Sequence, residues 1–83
     1  MNSTQQEIKN LEREILKIED NISEFHRLDY SEGIKKSRKQ LESNLKYLSV
    51  LANGAPIDKN EDRELMDFLR VHYDYLQKLP VSV

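Results

Sequence analysis

Cysteine is absent from the 83 residues, which excludes a disulfide, a thiolate metal site and a cysteine nucleophile. Glycine and proline occur twice each, too rarely for a chain built from strands and tight turns. Tryptophan is missing and aromatic residues make up 7%, so there are few rings on which bases could stack. No apolar run approaches the ~18 residues of a membrane-spanning helix, and the start "MNSTQQEIKN" has no apolar core of a signal peptide. The expectation is an intracellular, soluble, cytoplasmic chain, in which the glycosylation sequons at Asn2 and Asn21 are chance matches.

What is present has helical period. Ile8, Leu11, Ile15, Ile18, Ile22 and Phe25 follow one another at steps of 3, 4, 3, 4 and 3, the spacing of a coiled-coil seam. Thr4 and Glu7 stand at capping-box spacing before this run, which predicts a first helix over about residues 4–28. Asp29 with Glu32, or Ser31 alone, can cap a second helix over about 31–53, carrying Ile34, Leu41, Leu45, Leu48 and Leu51. Gly33 falls in its first turn, at a cost of roughly 1 kcal/mol against alanine. Gly54 suits the left-handed residue past its end, and Pro56 forbids continuation. A third helix is predicted over about 59–79, starting near Asp58 or Asn60 and stopped by Pro80. Glu61, Asp62, Glu64 and Asp67 crowd its early turns, where the helix dipole favours negative charge. Leu65, Phe68, Leu69, Tyr75 or Leu76, and Leu79 form its apolar stripe.

A short break between long helices makes them antiparallel neighbours. Phe25 with Ile34, Ile18 with Leu41, Leu11 with Leu48, and Ile8 with Leu51 all have residue numbers that add to 59, so one turn satisfies the whole seam. Ile22 is the exception, facing Ser37 and Arg38. The second helix is apolar nearly all round only in its later half, so the third should dock there. The expected fold is therefore all-α: an antiparallel two-helix coiled-coil hairpin with a third helix packed on the end holding the N-terminus, three-helix bundle-like. It forms a single helical domain over 1–83, with the far tip projecting. The paired stretches "LEREILKIEDNI" and "GIKKSRKQLESNLKYL" resemble the Rho-effector hairpin modules, over about half the chain.

Charge is uneven: residues 1–32 sum to −4, residues 33–53 to +4 and residues 54–83 to −2. The run "GIKKSRKQ" holds Lys35, Lys36, Arg38 and Lys39 with no acid among them. In the hairpin register Lys35 and Lys36 oppose Glu24, and Lys39 opposes Glu19 and Asp20, so complementary pairing between helices is the first reading. The second is a docking face for an acidic protein partner, and the third is nucleic acid, which the net charge of −2 disfavours. Ser37 lies in the run as a kinase-accessible serine or, more simply, a small residue at the helix seam.

His26 and His72 lie on different helices without ligand spacing, so neither a metal nor any other cofactor is expected. His72 falls on the apolar stripe, where a partly buried, hydrogen-bonded histidine is usual. "DKNEDRELMD" lacks the glycine a calcium loop requires. A narrow hairpin offers no pocket for paired acid–base groups, so neither catalysis nor a small-molecule substrate is expected.

A chain this short has a marginal core and gains from association. The function expected is thus a non-catalytic protein–protein interaction module: a small adaptor, assembly chaperone or complex subunit, binding a protein partner or another copy of itself through a helical surface, without a membrane. The alternative is a small dimeric nucleic-acid-binding regulator using the basic face. Two surfaces compete as partner-binding sites. One is the tip with its basic neighbours (Ile22, Phe25, Tyr30, Ile34, Lys35, Lys36, Arg38, Lys39), the other the third-helix face (Tyr73, Tyr75, Leu76, Leu79).

Overall fold

The computed structural model describes residues 3–54 and 59–79, and the expected signals at Pro56, Asp58 and Pro80 lie outside them. The described residues form three helices: α1 (Ser3–Arg27), α2 (Ser31–Gly54) and α3 (Lys59–Lys78). The fold is all-α, with α1 and α3 both packed on α2. None of the described helices is long and apolar enough to cross a membrane.

The core follows the periodicity. Ile8, Ile15, Ile18 and Ile22 of α1 meet Leu41, Leu45, Leu48 and Ala52 of α2 and Leu65, Leu69, Leu76 and Leu79, from α3 and its end, in one cluster. Ile15, Ile22, Leu41, Leu45 and Leu48 are wholly enclosed, each worth about 1.5–3 kcal/mol relative to exposure.

α3 enters at the end holding the N-terminus and runs on along the hairpin, parallel to α1. Glu12 lies near Glu64, Glu19 bonds His72, and Ser23 bonds Tyr75, so facing residues of α1 and α3 differ by 52 or 53 throughout. This length corrects the expectation of a projecting tip with an uncovered isoleucine. Ile22 is fully buried, because the third helix supplies the apolar neighbours that Ser37 and Arg38 on α2 cannot.

The turn between α1 and α2 differs from the expected cap. Asp29 adopts φ 58°, the left-handed conformation that ends a helix. The Tyr30 amide donates to the Phe25 carbonyl at 2.8 Å and the Asp29 amide to that of His26 at 3.2 Å, the pair of bonds that define a Schellman motif. The Phe25 and Tyr30 rings meet edge to face at 5.4 Å, closing the turn with the apolar contact the motif favours. The Tyr30 carbonyl then accepts from the Ile34 amide, so Tyr30 rather than Asp29 or Ser31 occupies the N-cap of α2. At the other end α1 begins at Ser3, one residue before the expected cap, and Glu7 accepts from the Tyr47 hydroxyl at 3.2 Å.

The two glycines have opposite roles. A Cβ on Gly33 would stand 2.8 Å from the Phe25 ring and 2.6 Å from that of Tyr30, so the bare backbone is what lets the rings close the tip. Gly54 is the last residue of α2, without the left-handed φ expected of it, and a Cβ there meets nothing within 4 Å. Gly33→Ala should therefore lose about 1–2 kcal/mol, overpacking outweighing the helical gain of ~1. Gly54→Ala should gain about 0.5–1 kcal/mol. Urea denaturation of both variants checks this; equal signs for the two would contradict the assigned roles.

Candidate functional site

Two charged surfaces flank α3. The first is the seam between α1 and α3. Glu12, Leu16, Glu19, Asp20 and Ser23 recur at helical spacing along one flank of α1, and Glu19 and Ser23 fix that flank as the one toward α3. His72 Nδ1 lies 2.5 Å from Glu19 Oε2, with both side chains mostly buried. Since the carboxylate has no proton to give, the imidazole N–H is the donor. The Phe68 ring lies 4.0 Å from that of His72 and holds its other side. The Tyr75 hydroxyl, bonded to Ser23, is pushed above its usual range by burial, with Glu19 and Asp20 adding to the shift. The Glu12 carboxyl is also raised, chiefly by burial and further by Glu64; Lys9 and His72 act against this.

The second surface is basic. Lys35, Lys36 and Lys39 are exposed, and Arg38 is half-buried with its Nε enclosed and unbonded. Among the described residues none of the four makes an ion pair. The expected partners are engaged elsewhere or stand apart: Glu24 holds Arg27 and Glu19 holds His72. The α1 flank that carries Glu19 and Asp20 turns toward α3, so charge pairing between α1 and α2 does not account for the run. Tyr47 reaches Glu7 of α1, which puts the row Lys35, Lys39, Glu42 and Lys46, three cations to one acid, on the opposite flank of α2, toward α3.

The remaining candidates divide between core and surface. Ile22, Ile34, Leu76 and Leu79 are buried, and Phe25, Tyr73 and Tyr75 are partly so. The tyrosine–leucine face of α3 is therefore turned into the bundle, because the stripe that looked like an interface is the one that covers the α1–α2 seam. Tyr30 stays half-exposed at the tip. Ser37 is buried between helices, in keeping with its simpler reading. A shallow groove of about 360 Å³ between α1 and α2 is lined by Glu7, Asn10, Leu11, Glu14 and Tyr47.

Sequence reasoning missed Glu12, Leu16, Lys46, Val50, Met66 and Val71, and it set Glu19 against Lys39 where the structure sets it against His72. The signal that could have found the seam is the repeat of Glu12, Glu19 and Ser23 on one flank of α1, matched by Phe68, His72 and Tyr75 on α3. Comparison with known protein families, curated proteins and solved structures finds no match to this chain. The likeness to Rho-effector hairpins is thus one of pattern, and no function is carried over from it.

Two variants probe the seam. Glu19→Ala leaves a mostly buried imidazole without its partner and should cost about 1–3 kcal/mol in urea denaturation. Glu12 works in the other sense. Its raised pKa means that the folded chain holds this proton more tightly than the unfolded chain, so folding is penalised above the carboxylate range and relieved as pH falls through it. Glu12→Gln should be the more stable protein at pH 7, with the difference vanishing near pH 3. A variant less stable than the parent at pH 7 would contradict that reading.

Proposed function

We propose that this chain is a non-catalytic protein–protein interaction module, a small adaptor, assembly chaperone or complex subunit, that docks through the outer side of α2 and α3. The single observation that carries the reading is the set of cations on α2 left without ion pairs beside exposed apolar side chains. Val50 of α2 and Met66 and Val71 of α3 are all more than half exposed. Cations give an interface its orientation and rate, and apolar groups give it affinity. The buried candidates at the tip and on α3 support the fold in this reading, while Lys35, Lys36, Arg38 and Lys39 face the partner.

A nucleic-acid-binding regulator is the second reading, favoured by the same unpaired cations. It is weakened by the acidic residues along the adjoining α1–α3 seam, which repel phosphate. Retention of proteins from the native cell extract on immobilised chain separates the two, with a Lys35→Glu/Lys39→Glu/Lys46→Glu variant alongside. A protein retained by the parent and released by the variant, in nuclease-treated extract, is the expected outcome. Retention that disappears with nuclease would favour the regulator, and identical retention by parent and variant would overturn a role for this face.

A further inference from the structure

We propose that Asn53 is a modification site: its carboxamide converts without an enzyme, through a cyclic imide closed on the Gly54 nitrogen, into a carboxylate at the C-terminal end of α2. The inference is independent of the interaction-module reading.

Asn53 is the only asparagine of the chain followed by glycine. Both residues are exposed, and Gly54 is the last residue of α2. Cyclisation needs solvent at the carboxamide and room beside the attacking nitrogen. Glycine gives that room, since it has no Cβ to crowd the approach. The surroundings leave it open as well, because a Cβ on Gly54 meets nothing within 4 Å. Asn10 and Asn21 are also exposed, so exposure alone does not select the site. They lie inside α1, as Asn44 lies inside α2, and the branched side chains of Leu11, Ile22 and Leu45 shield the nitrogens that follow them.

A closed helix holds the reaction back. Every Cα–Cβ bond of a helix tilts toward the N-terminus, which carries the Asn53 carboxamide away from the Gly54 nitrogen. Ring closure therefore proceeds from molecules whose last turn has opened. Terminal turns open at a free energy near zero, and glycine is the poorest helix former after proline. Pro56, two residues on, has no N–H with which to extend the ladder. Asn53 and Gly54 also lie beyond Ala52, the last buried residue of α2, so their opening uncovers no core side chain.

In the open turn the Gly54 nitrogen, its proton taken by hydroxide, attacks Asn53 Cγ. The new N–Cγ bond forms, the bond from Cγ to the amide nitrogen breaks, and ammonia leaves with a proton from water. One water molecule then opens the imide. Addition at Cγ gives an ordinary aspartyl residue. Addition at the main-chain carbonyl carbon routes the backbone through Cγ and gives the isoaspartyl form. Either product adds a negative charge to a chain already at −2, at the helix end where the dipole disfavours it. The isoaspartyl form also lengthens the main chain beside Ala52, which shares the core cluster with Leu65 and Leu69. Modification thus loosens the end of the bundle at which α3 enters.

Mass spectrometry of the aged protein tests the site. The folded chain is held at neutral pH and about 37 °C for several weeks, beside a sample unfolded in urea. Asn53 is the only side-chain amide in the tryptic peptide spanning residues 47–59, so a gain of about 1 Da there reports this residue alone. That peptide should yield two products of equal mass, and the peptides holding Asn10, Asn21 and Asn44 should stay unchanged. The folded sample should react within about a hundredfold of the unfolded rate, as local opening of a terminal turn allows. Gly54→Ala should slow the reaction at least about tenfold in both samples, since an added Cβ shields the nitrogen whether or not the helix is closed. The modified chain, separated by ion exchange, should unfold at lower urea than the parent; an equal midpoint would overturn the loosening. An unchanged peptide, equal modification at Asn10 or Asn21, a Gly54→Ala chain as reactive as the parent, or a folded sample slower than that hundredfold limit would overturn the proposal.

Discussion

The seam between α1 and α2 is the contact on which the rest depends. Its five fully enclosed side chains, Ile15, Ile22, Leu41, Leu45 and Leu48, all belong to these two helices, and α3 contributes the cover that completes their enclosure. Helical stability in proteins comes mostly from packing of an amphipathic face, so each helix is held chiefly by burying its apolar stripe against the others. The order of dependence follows. The Schellman turn at Asp29 and Tyr30 sets the antiparallel register, and the register lines up the isoleucines and leucines. The ridge they form leaves one groove apolar enough to accept Leu65, Leu69, Leu76 and Leu79.

Docking of α3 then decides what the surface can be. By lying along α1 in parallel, it draws Glu19 and Ser23 into contact with His72 and Tyr75 and takes that acidic flank away from α2. The lysines of α2 are left facing water. Charge separation across the bundle is thus a consequence of packing: one interhelical seam absorbs the acids, and the cations that might have met them are stranded on the far side of α3.

The period of the seam, the three helices and their ends to within a residue were legible in the sequence, because steps of three and four along Ile8–Phe25 admit one geometry. Three features were not, each for a physical reason. Asp29 looks like a cap, since aspartate favours that role, and only the tertiary position of the Phe25 and Tyr30 rings selects its left-handed conformation instead. Gly33 looks like a weak helical residue until the rings that press on it are in place. Ile22 looks uncovered when the hairpin is considered as a pair, because pairwise register says nothing about which groove a third helix enters.

That last point bears on the surface as well. The residues with the strongest interface character by composition, Tyr73, Tyr75, Leu76 and Leu79, are the ones α3 uses to bind its own bundle. The same chemistry that marks a docking face marks an amphipathic helix seeking its neighbours, and a chain of 83 residues cannot spare a long apolar stripe for both. If the chain is an interaction module, as proposed, what is left to it is what folding left unmatched: scattered apolar side chains such as Leu16, Met66 and Val71, and the unpaired cations of α2. Scattered apolar groups alone bind weakly and without direction. Cations without ion pairs, such as Lys35 and Lys39, are the groups that can supply direction to such a contact.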